Sequence, residues 1–403
     1  MPEKFNGSFT QQEPISDEAI SAAVKVLQSG RLHRYNVTQG ACGETALLEQ
    51  EFAAYMGVKY CLAVASGGYA LTTALRALGV AAGEKVLTNA FTLAPVPGAI
   101  AAVGAVPVFV GVTEALVIDL EDLAARIAAS GARVLLVSHM RGHICDMDAL
   151  MALCRAHDVQ VIEDCAHTMG ARWDGVLSGR HGVMAAYSTQ TYKHMNSGEG
   201  GLLISDHAPQ MASAIMLSGS YMLFDRHTAA PPPETFAALR YDTPNISGRM
   251  DNLRAAILRP QLRGLDDRCT AWNARYRVVA EGLADTPGLT LVHRPQKEEF
   301  VASSFQFLLL DWNNDAIAEV IARADARGVD LKWFGGAEPA GFTSRYDSWH
   351  YAPSVPMPAS DRVLAGIIDM RLPLTFSLED CAQIARILRQ EIGAVWQSVA
   401  API

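Results

Sequence analysis

The chain has 403 residues, of which half are hydrophobic and 19% are charged, a globular composition long enough for two packed domains. Its net charge of -9 argues against general nucleic-acid binding, which needs a basic face. The N-terminal sequence has no apolar core of a secretory signal, and the most apolar run, residues 98–112, is too short to span a bilayer. Seven cysteines without paired spacing then predict reduced thiols and a cytoplasmic location.

Predicted helices and strands alternate along the first 170 residues or so. A helix is predicted over 15–30 with Ser16 as its N-cap, and a second over 45–57, closed by Gly57. Apolar strands are then predicted at 59–66, 85–90, 107–112, 132–139 and 159–166, with helices between them at 67–79, 94–104, 119–130 and 146–158. Short apolar strands that are each followed by a helix indicate a parallel sheet covered on both faces.

The pattern changes near residue 260, where a long helical stretch over 255–285 leads into a shorter strand-helix set that ends with a helix at 377–397. We therefore predict two domains: an N-terminal segment with a large domain over residues 1–260, and a small C-terminal domain over 261–403. Residues 219–246 contain AAPPPE, which excludes a helix or a central strand and predicts a long loop.

Three segments are predicted to meet at the carboxyl ends of the strands, where sheets of this type bind their ligands. In ASGGYAL (65–71), Gly67 and Gly68 let the backbone approach an anion at a helix N-terminus, although a tight turn without a ligand explains them about as well. In VIEDCAHTMGA (161–171), Asp164 ends an apolar strand and needs a cationic partner, which could be a structural salt bridge. The third segment, 187–201, holds Ser188 and Lys193 before a GEGG turn.

An anion site, a cation partner and a buried lysine together match the needs of pyridoxal 5'-phosphate. Asp164 would keep the pyridine nitrogen protonated, and Lys193 would hold the aldehyde as a Schiff base and then shuttle a proton. Burial near a cationic ring lowers the pKa of a lysine, which suits both roles. Ser188 and the turn at Gly67 and Gly68 would hold the phosphate.

These motifs resemble the sugar aminotransferases of the DegT/DnrJ/EryC1/StrS group, which are fold type I pyridoxal-phosphate enzymes like aspartate aminotransferase. The resemblance runs from about residue 30 to 265, and more weakly to the end, through VIEDCAHTMGARWDG, YSTQTYKHMNSGEGGLL and RMDNLRAAI. It implies an α/β fold with a large, mostly parallel sheet domain and a smaller C-terminal α/β domain. It also implies a homodimer with shared active sites.

The activity implied by the resemblance is transfer of an amino group from an amino-acid donor, glutamate or glutamine, to a keto group. The acceptor would be a sugar, a nucleotide sugar, a cyclitol or a similar small molecule. Lys193 matches the Schiff-base lysine, Asp164 the partner of the pyridine nitrogen, and Ser188 a phosphate ligand. His167 matches a residue that hydrogen-bonds the phenolic oxygen of the ring, with a packed histidine as the alternative, and Glu199 is expected to be structural.

The chain departs from the family pattern at three positions. Leu93 stands where an aromatic side chain usually stacks on the cofactor ring, and Gly68 stands where a threonine usually contacts the phosphate. An asparagine of the family reaches the phosphate from the neighbouring subunit; strict register gives Ser247 here, with Asn245 two residues away, and either could serve. These departures indicate an outlying branch, for which an amino-benzoate precursor or another small ketone is an alternative acceptor.

The donor carboxylate favours an arginine, and Arg141 and Arg249 are candidates that could equally be structural or surface charges. Lys332 and Trp333 are candidate substrate contacts in the small domain. His139 and His143 flank a predicted loop without carboxylates or cysteines to complete a ligand set, which predicts no metal site.

Two alternatives to transamination stay open from the sequence. One is a pyridoxal-phosphate lyase, dehydratase or epimerase of the same fold. The other is a non-catalytic relative that binds the cofactor. Some relatives replace the lysine with histidine and act as dehydratases, but Lys193, and not His194, stands in register here.

Overall fold

The computed structural model describes residues 3–341 and 343–399. In this part of the chain the strands are Tyr60–Val64 (β1), Lys85–Asn89 (β2), Val106–Val110 (β3), Val134–Ser138 (β4), Gln160–Asp164 (β5), Arg172–Trp173 (β6), Val176–Leu177 (β7), Met184–Ser188 (β8), Gly201–Ser205 (β9), Thr290–Leu291 (β10), Glu298–Glu299 (β11), Ser304–Leu308 (β12), Lys332–Trp333 (β13) and Ile367–Arg371 (β14). The helices are Asp17–Ser29 (α1), Glu44–Met56 (α2), Gly67–Ala77 (α3), Pro95–Ala102 (α4), Leu120–Ser130 (α5), Met147–Ala156 (α6), Ala208–Ser218 (α7), Asn252–Arg263 (α8), Leu265–Leu283 (α9), Asn314–Ala326 (α10), Pro358–Ala365 (α11) and Leu378–Val399 (α12).

The central sheet has seven strands in the order β1-β9-β8-β5-β4-β2-β3. Only β9 runs antiparallel to its neighbours, so the predicted large, mostly parallel sheet is confirmed. Successive residues of β4 point to opposite faces: Leu135 packs into one apolar cluster and Leu136 into another. The sheet is therefore covered on both faces, as the continuous apolar strands predict.

Most predicted elements lie where the sequence placed them. Ser16 caps α1 by accepting a hydrogen bond from the Ala19 amide, and Gly57 ends α2 in the left-handed conformation (φ 66°). The predicted long loop over 219–246 contains only two short 3-10 turns. The predicted helical stretch over 255–285 is two helices, α8 and α9, which are separated at Gly264.

A second, antiparallel sheet has the order β10-β12-β14-β13 and packs with α9, α10 and α12 around its own apolar cluster. Residues from the start of the chain join this cluster: the Phe5 and Phe9 rings both make edge contacts with Phe376, at centroid distances of 5.0 Å. A domain boundary near residue 260 stays a prediction. In the described part of the chain, no helix combines the length and apolar character needed to cross a membrane.

A fully buried ion pair between Arg34 and Glu49 ties α2 to β1. Glu49 of α2 accepts two hydrogen bonds of 2.8 Å from Arg34, and a third of 2.8 Å from the Ala63 amide. His227, from the long loop, also lies 3.4 Å from the carboxylate. Burial by itself would raise the pKa of Glu49, but Arg34 and His227 outweigh it and lower that pKa to about 2.

We predict that Glu49→Gln lowers the free energy of unfolding by about 3 kcal/mol, because it leaves the Arg34 guanidinium buried without its counter-charge. The measurement is urea denaturation at pH 7. Glu51→Gln, on the same helix, is the matched control; its ion pair with Arg259 is partly exposed, so a loss below about 1 kcal/mol is expected. Equal losses in the two variants would contradict the role given to Glu49. Since the folded pKa of Glu49 is lowered, this stabilisation is present above pH 4.5 and disappears as the pH falls towards 2.

Candidate active site

A cavity of about 270 Å³ opens where the carboxyl ends of β5 and β8 meet the N-terminus of α3. The structure brings seven of the sequence-predicted site residues to its wall: Gly67, Gly68, Leu93, Asp164, His167, Ser188 and Lys193. Glu199 also reaches this wall, on an exposed turn, and its structural role stays a prediction. The three predicted segments thus line one cavity.

Lys193 lies on the loop between β8 and β9, residues 189–200, here called the lysine loop. Glycines allow this loop to pack closely against its neighbours. The Thr189 amide donates a 2.9 Å hydrogen bond to the Gly200 carbonyl, which closes the loop at its base. Gly200 has φ 151°, and a Cβ there would lie 2.3 Å from the Thr189 hydroxyl oxygen. A Cβ on Gly201 would lie 2.4 Å from the Ser66 carbonyl oxygen, so β9 approaches the start of α3 only because these positions lack side chains.

The amine of Lys193 faces His167, with 2.9 Å between Nζ and Nε2. Burial is the main reason that the pKa of Lys193 falls to about 7, and the nearby Arg141 guanidinium lowers it further, while Asp164 opposes the shift. Burial and the charge of Lys193 also hold the pKa of His167 well below its usual value. Near neutral pH the amine therefore has a large uncharged fraction beside a neutral imidazole, so it can act as a nucleophile and exchange a proton.

Asp164 reaches the cavity from the end of β5, and each of its carboxylate oxygens accepts one hydrogen bond from the protein. Oδ2 accepts a 2.7 Å hydrogen bond from the Ser138 hydroxyl, and Oδ1 accepts one of 3.1 Å from the Ala166 amide. Asp164 is 7% exposed, and none of the ion pairs formed by the described residues includes it. The structural salt bridge considered from the sequence is thus not present there, and the carboxylate faces the cavity with capacity for a cation.

The start of α3 forms an anion-binding end of the cavity. Ser66 caps the helix by accepting a hydrogen bond from the Tyr69 amide, so the amides of the first turn point towards the cavity. A Cβ on Gly67 would lie 2.9 Å from the Ser188 Cβ, which makes glycine necessary for this close approach. A Cβ on Gly68 would meet nothing closer than 3.7 Å, so packing does not require glycine at that position.

Several other candidates lie outside this cavity. Asn245 and Ser247 are exposed on the segment before α8, where the Asn245 side-chain oxygen accepts a 3.1 Å hydrogen bond from the Ser247 amide. Their contact with a phosphate in a neighbouring subunit stays a prediction. Arg249 donates a 2.9 Å hydrogen bond to the Gly219 carbonyl, and Lys332 and Trp333 form β13. The lining residues of the cavity include none of these five.

A smaller cavity of about 50 Å³ adjoins the first, and Leu93, His167, Gln190 and Lys193 line both. Arg141, which the sequence left open as a donor contact or a structural charge, lies on its wall and forms a 2.9 Å ion pair with Asp369 of β14. The other lining residues were not predicted from the sequence; they are Gln12, Gln190, Tyr192, Trp272, Ser303, Ser304, Arg371, Leu372 and Pro373. Gln190 and Tyr192 lie in the lysine loop and could have been inferred from it, whereas no local signal marks Arg371.

The expectation that no acid or thiol accompanies His139 is wrong, because Glu163 and Cys165 offer ligand atoms beside it, all within 4.8 Å of one another. His143 is elsewhere and pairs with Gln306 at 2.9 Å. Glu163 accepts hydrogen bonds from the amides of Gly179, His181 and Gly182, and lies 3.1 Å from His139 Nε2. The hydrogen bonds of the Glu163 carboxylate are thus made within the protein, and Glu163 holds the segment before β8 in place.

His194, the neighbour of Lys193, is fully packed and does not face either cavity. Its ring makes an edge contact with Trp272 at a centroid distance of 5.0 Å. Burial, followed by the charge of Lys193, lowers the pKa of His194 to about 3. The side chain in register with the cavity is therefore that of Lys193.

This fold and this arrangement of lysine, carboxylate and helix N-terminus define a fold type I transferase of the aspartate aminotransferase-like class. The sequence profile of the DegT/DnrJ/EryC1/StrS aminotransferase family matches residues 14–389, and the chain belongs to that family. The expected fold class and the expected aminotransferase family are both confirmed.

Two named relatives and one solved structure illustrate the similarity. The chain is 34% identical over 279 residues to the erythromycin biosynthesis sensory transduction protein EryC1 of Saccharopolyspora erythraea, which covers 67% of this chain and 70% of that protein. It is 30% identical over 292 residues to L-glutamine:scyllo-inosose aminotransferase of Streptomyces griseus, which covers 70% and 66% respectively. The crystal structure of 3-amino-5-hydroxybenzoic acid synthase is similar in fold, with a TM-score of 0.81, 23% identity and coverage of 96% and 99%.

We predict that the Lys193 amine titrates near pH 7, far below the usual 10.5. Competitive acetylation of the cofactor-free protein across pH 5–11, read by mass spectrometry of the lysine peptides, would measure this; the reactivity should rise as the amine loses its proton near pH 7. Lys297 is the internal control, because hydrogen bonds from its amine to Asp148 and Asp174 raise its pKa above the usual value. A Lys193 titration above about pH 9 would show that the amine is not desolvated.

Proposed function

We propose that the protein is a pyridoxal-phosphate-dependent aminotransferase that transfers an amino group from glutamate or glutamine to the keto group of a sugar, cyclitol or similar small molecule. The observation that carries this proposal is the Lys193 amine, with its lowered pKa, sharing one cavity with the Asp164 carboxylate and the N-terminus of α3. When bound, the cofactor supplies an aldehyde that accepts the amino group and a cationic ring that withdraws electrons from the substrate.

The residues present fit this cofactor. Asp164 has a carboxylate without an ion-pair partner at the cavity wall, which suits a protonated ring nitrogen. Gly67, Gly68 and Ser188 offer backbone amides and a hydroxyl at a helix N-terminus, which suits a phosphate. Leu93 would cover the ring with an aliphatic side chain, and His167 would hydrogen-bond its phenolic oxygen.

Lys193 would hold the cofactor covalently and, once displaced by the amino donor, would be free to move a proton. Its 2.9 Å contact with His167 orients the amine towards the cavity in the free protein. Since both groups have lowered pKa values, a neutral amine lies beside a neutral imidazole near neutral pH, and the amine can take up a proton there. Ser138 would keep the Asp164 carboxylate in place through their 2.7 Å hydrogen bond.

The proposed donor and acceptor classes rest on similarity. The relative from Streptomyces griseus is named for glutamine and scyllo-inosose, a donor and a cyclitol ketone of the proposed classes. A homodimer is part of the proposal, because Asn245 and Ser247 are exposed on their own subunit and would reach a phosphate only in a neighbouring one. A cytoplasmic location is also proposed, supported by seven cysteines that are all free thiols.

Lys193→Ala should abolish covalent capture of pyridoxal phosphate, because no other lysine lines the cavity in the described part of the chain. The test is borohydride reduction of the cofactor-loaded protein, followed by peptide mass spectrometry. Lys297→Ala, which removes an exposed lysine, is the control and should keep the label. A label that persists in Lys193→Ala would remove Lys193 from the proposed role.

Asp164→Asn should keep the covalent label but slow the half-reaction with glutamate or glutamine by about 100-fold or more, because the ring loses its buried counter-charge. The readout is release of one equivalent of keto acid in the absence of an acceptor. A wild-type protein that carries the label yet releases no keto acid from either donor would favour the lyase, dehydratase or epimerase alternative, or a non-catalytic relative.

A further inference from the structure

The N-terminal segment supplies a residue to the wall of the smaller cavity beside Lys193. Gln12 lies on this wall and is half-buried there. It also lines a third cavity, of about 390 Å³, together with Asn196 of the lysine loop and Arg268 of α9. Among the described residues, only Gln12 lines both of these cavities, so its side chain stands at the boundary between them.

Contacts on both sides hold Gln12 in this position. Before it, the Phe9 ring makes its edge contact with Phe376 at a centroid distance of 5.0 Å. After it, Ser16 caps α1, which packs against α8. The backbone carbonyl of Gln12 accepts a 2.8 Å hydrogen bond from the side-chain amide of Gln11. A side chain on a backbone that is fixed at both ends loses less freedom when it binds a ligand.

The side chain of Gln12 has unused hydrogen-bonding capacity. Among the described residues, none donates to its carboxamide oxygen or accepts from its nitrogen, although a carboxamide has two donors and an acceptor. Gln190 brings a second carboxamide to the same wall. Its Oε1 accepts a 3.0 Å hydrogen bond from the Tyr192 amide, which leaves Nε2 without a partner among the described residues. Neutral donors and an acceptor on this wall are therefore available to a ligand.

The arginines on this wall already have contacts within the protein. Arg141 forms its 2.9 Å ion pair with Asp369, and the Arg371 guanidinium lies over the Tyr192 ring, 3.6 Å from its centroid. The Nε of Arg141 has no hydrogen-bond partner among the described residues, but this atom is fully buried and does not face the cavity. The groups left free on the wall thus match a hydroxyl, which both donates and accepts a hydrogen bond.

We propose that Gln12 is a specificity-determining residue of the active site, and that its carboxamide binds a hydroxyl of the keto acceptor. The inference rests on the proposed function, in which the acceptor enters the site in the second half-reaction. Glutamate and glutamine have no hydroxyl group outside their carboxyl groups, so Gln12 acts on the acceptor step and not on the donor step. An acceptor without the hydroxyl leaves the carboxamide unpaired and is bound less well.

Pairs of ketones that differ in one hydroxyl test the proposal on the wild-type protein. The pairs are 2-hydroxycyclohexanone with cyclohexanone, and scyllo-inosose with 2-deoxy-scyllo-inosose. After one equivalent of donor has been consumed, the more hydroxylated ketone of at least one pair should accept nitrogen with a kcat/KM about 10-fold higher than its partner. If neither hydroxylated ketone accepts nitrogen from a wild type that has released keto acid, the proposed recognition is wrong.

Substitution of Gln12 should remove this preference. Gln12→Ala should lower the ratio of the two kcat/KM values by about 10-fold, and Gln12→Asn, which keeps the carboxamide on a shorter side chain, should recover part of it. Gln28→Ala removes an exposed carboxamide of α1 that lines none of the three cavities, and this control should keep the wild-type ratio. An unchanged ratio in Gln12→Ala would overturn the proposal.

The donor half-reaction separates hydroxyl binding from a purely structural role. Gln12→Ala should release keto acid from the donor at a rate within about twofold of the wild type, because the donor makes no contact that the substitution removes. If Gln12→Ala slows both half-reactions equally and keeps the hydroxyl preference, Gln12 only shapes the wall and the proposal is wrong. Covalent capture of the cofactor at Lys193 is measured in every variant, to confirm that the site is folded. Absence of that capture in the wild type would instead refute the proposed function.

Discussion

The site depends on how the charge of the Lys193 amine is controlled at the wall of the cavity. Burial and the Arg141 guanidinium favour the neutral amine, while the Asp164 carboxylate favours the charged one. With its usual pKa the amine would be protonated at neutral pH and could not attack a carbonyl carbon. Without Asp164 it would titrate lower still and hold a proton poorly. The fold must therefore bring cations and a carboxylate within electrostatic reach of one amine, which explains why residues of β4, β5 and the lysine loop converge there.

Two neighbouring acidic residues at the end of β5, Glu163 and Asp164, have different roles. Glu163 and Asp164 point to opposite faces of the sheet, because side chains alternate along a strand. Glu163 binds three amides of residues 179–182 and so fixes the approach to β8. Among the described residues, the Asp164 side chain accepts hydrogen bonds from Ser138 and Ala166, and it faces the cavity. One carboxylate is saturated by the protein and the other retains capacity for a ligand, although both are acids at the end of one apolar strand.

The sequence predicted the elements whose signals are local. Ser16 and Gly57 mark helix ends through capping chemistry, and Gly200 and Gly201 after Lys193 stand where a Cβ would clash with neighbouring atoms. The position of Arg371 could not be predicted, because it depends on how the second sheet packs against the first. The neighbours of His139 were missed for the same reason, since the side chains that surround it depend on strand pairing and not on spacing along the chain.

Arg141 shows why composition and spacing alone could not separate a structural charge from a functional one. Its ion pair with Asp369 joins the segment after β4 to β14 of the second sheet, which is a structural role. The same guanidinium lowers the pKa of Lys193 and lines the cavity, which is a functional role. The contact between the two sheets and the pKa of the Lys193 amine therefore both depend on one positive charge. Arg141 therefore has both roles at once. The surrounding structure holds it in the left-handed backbone conformation, which is strained for a non-glycine residue.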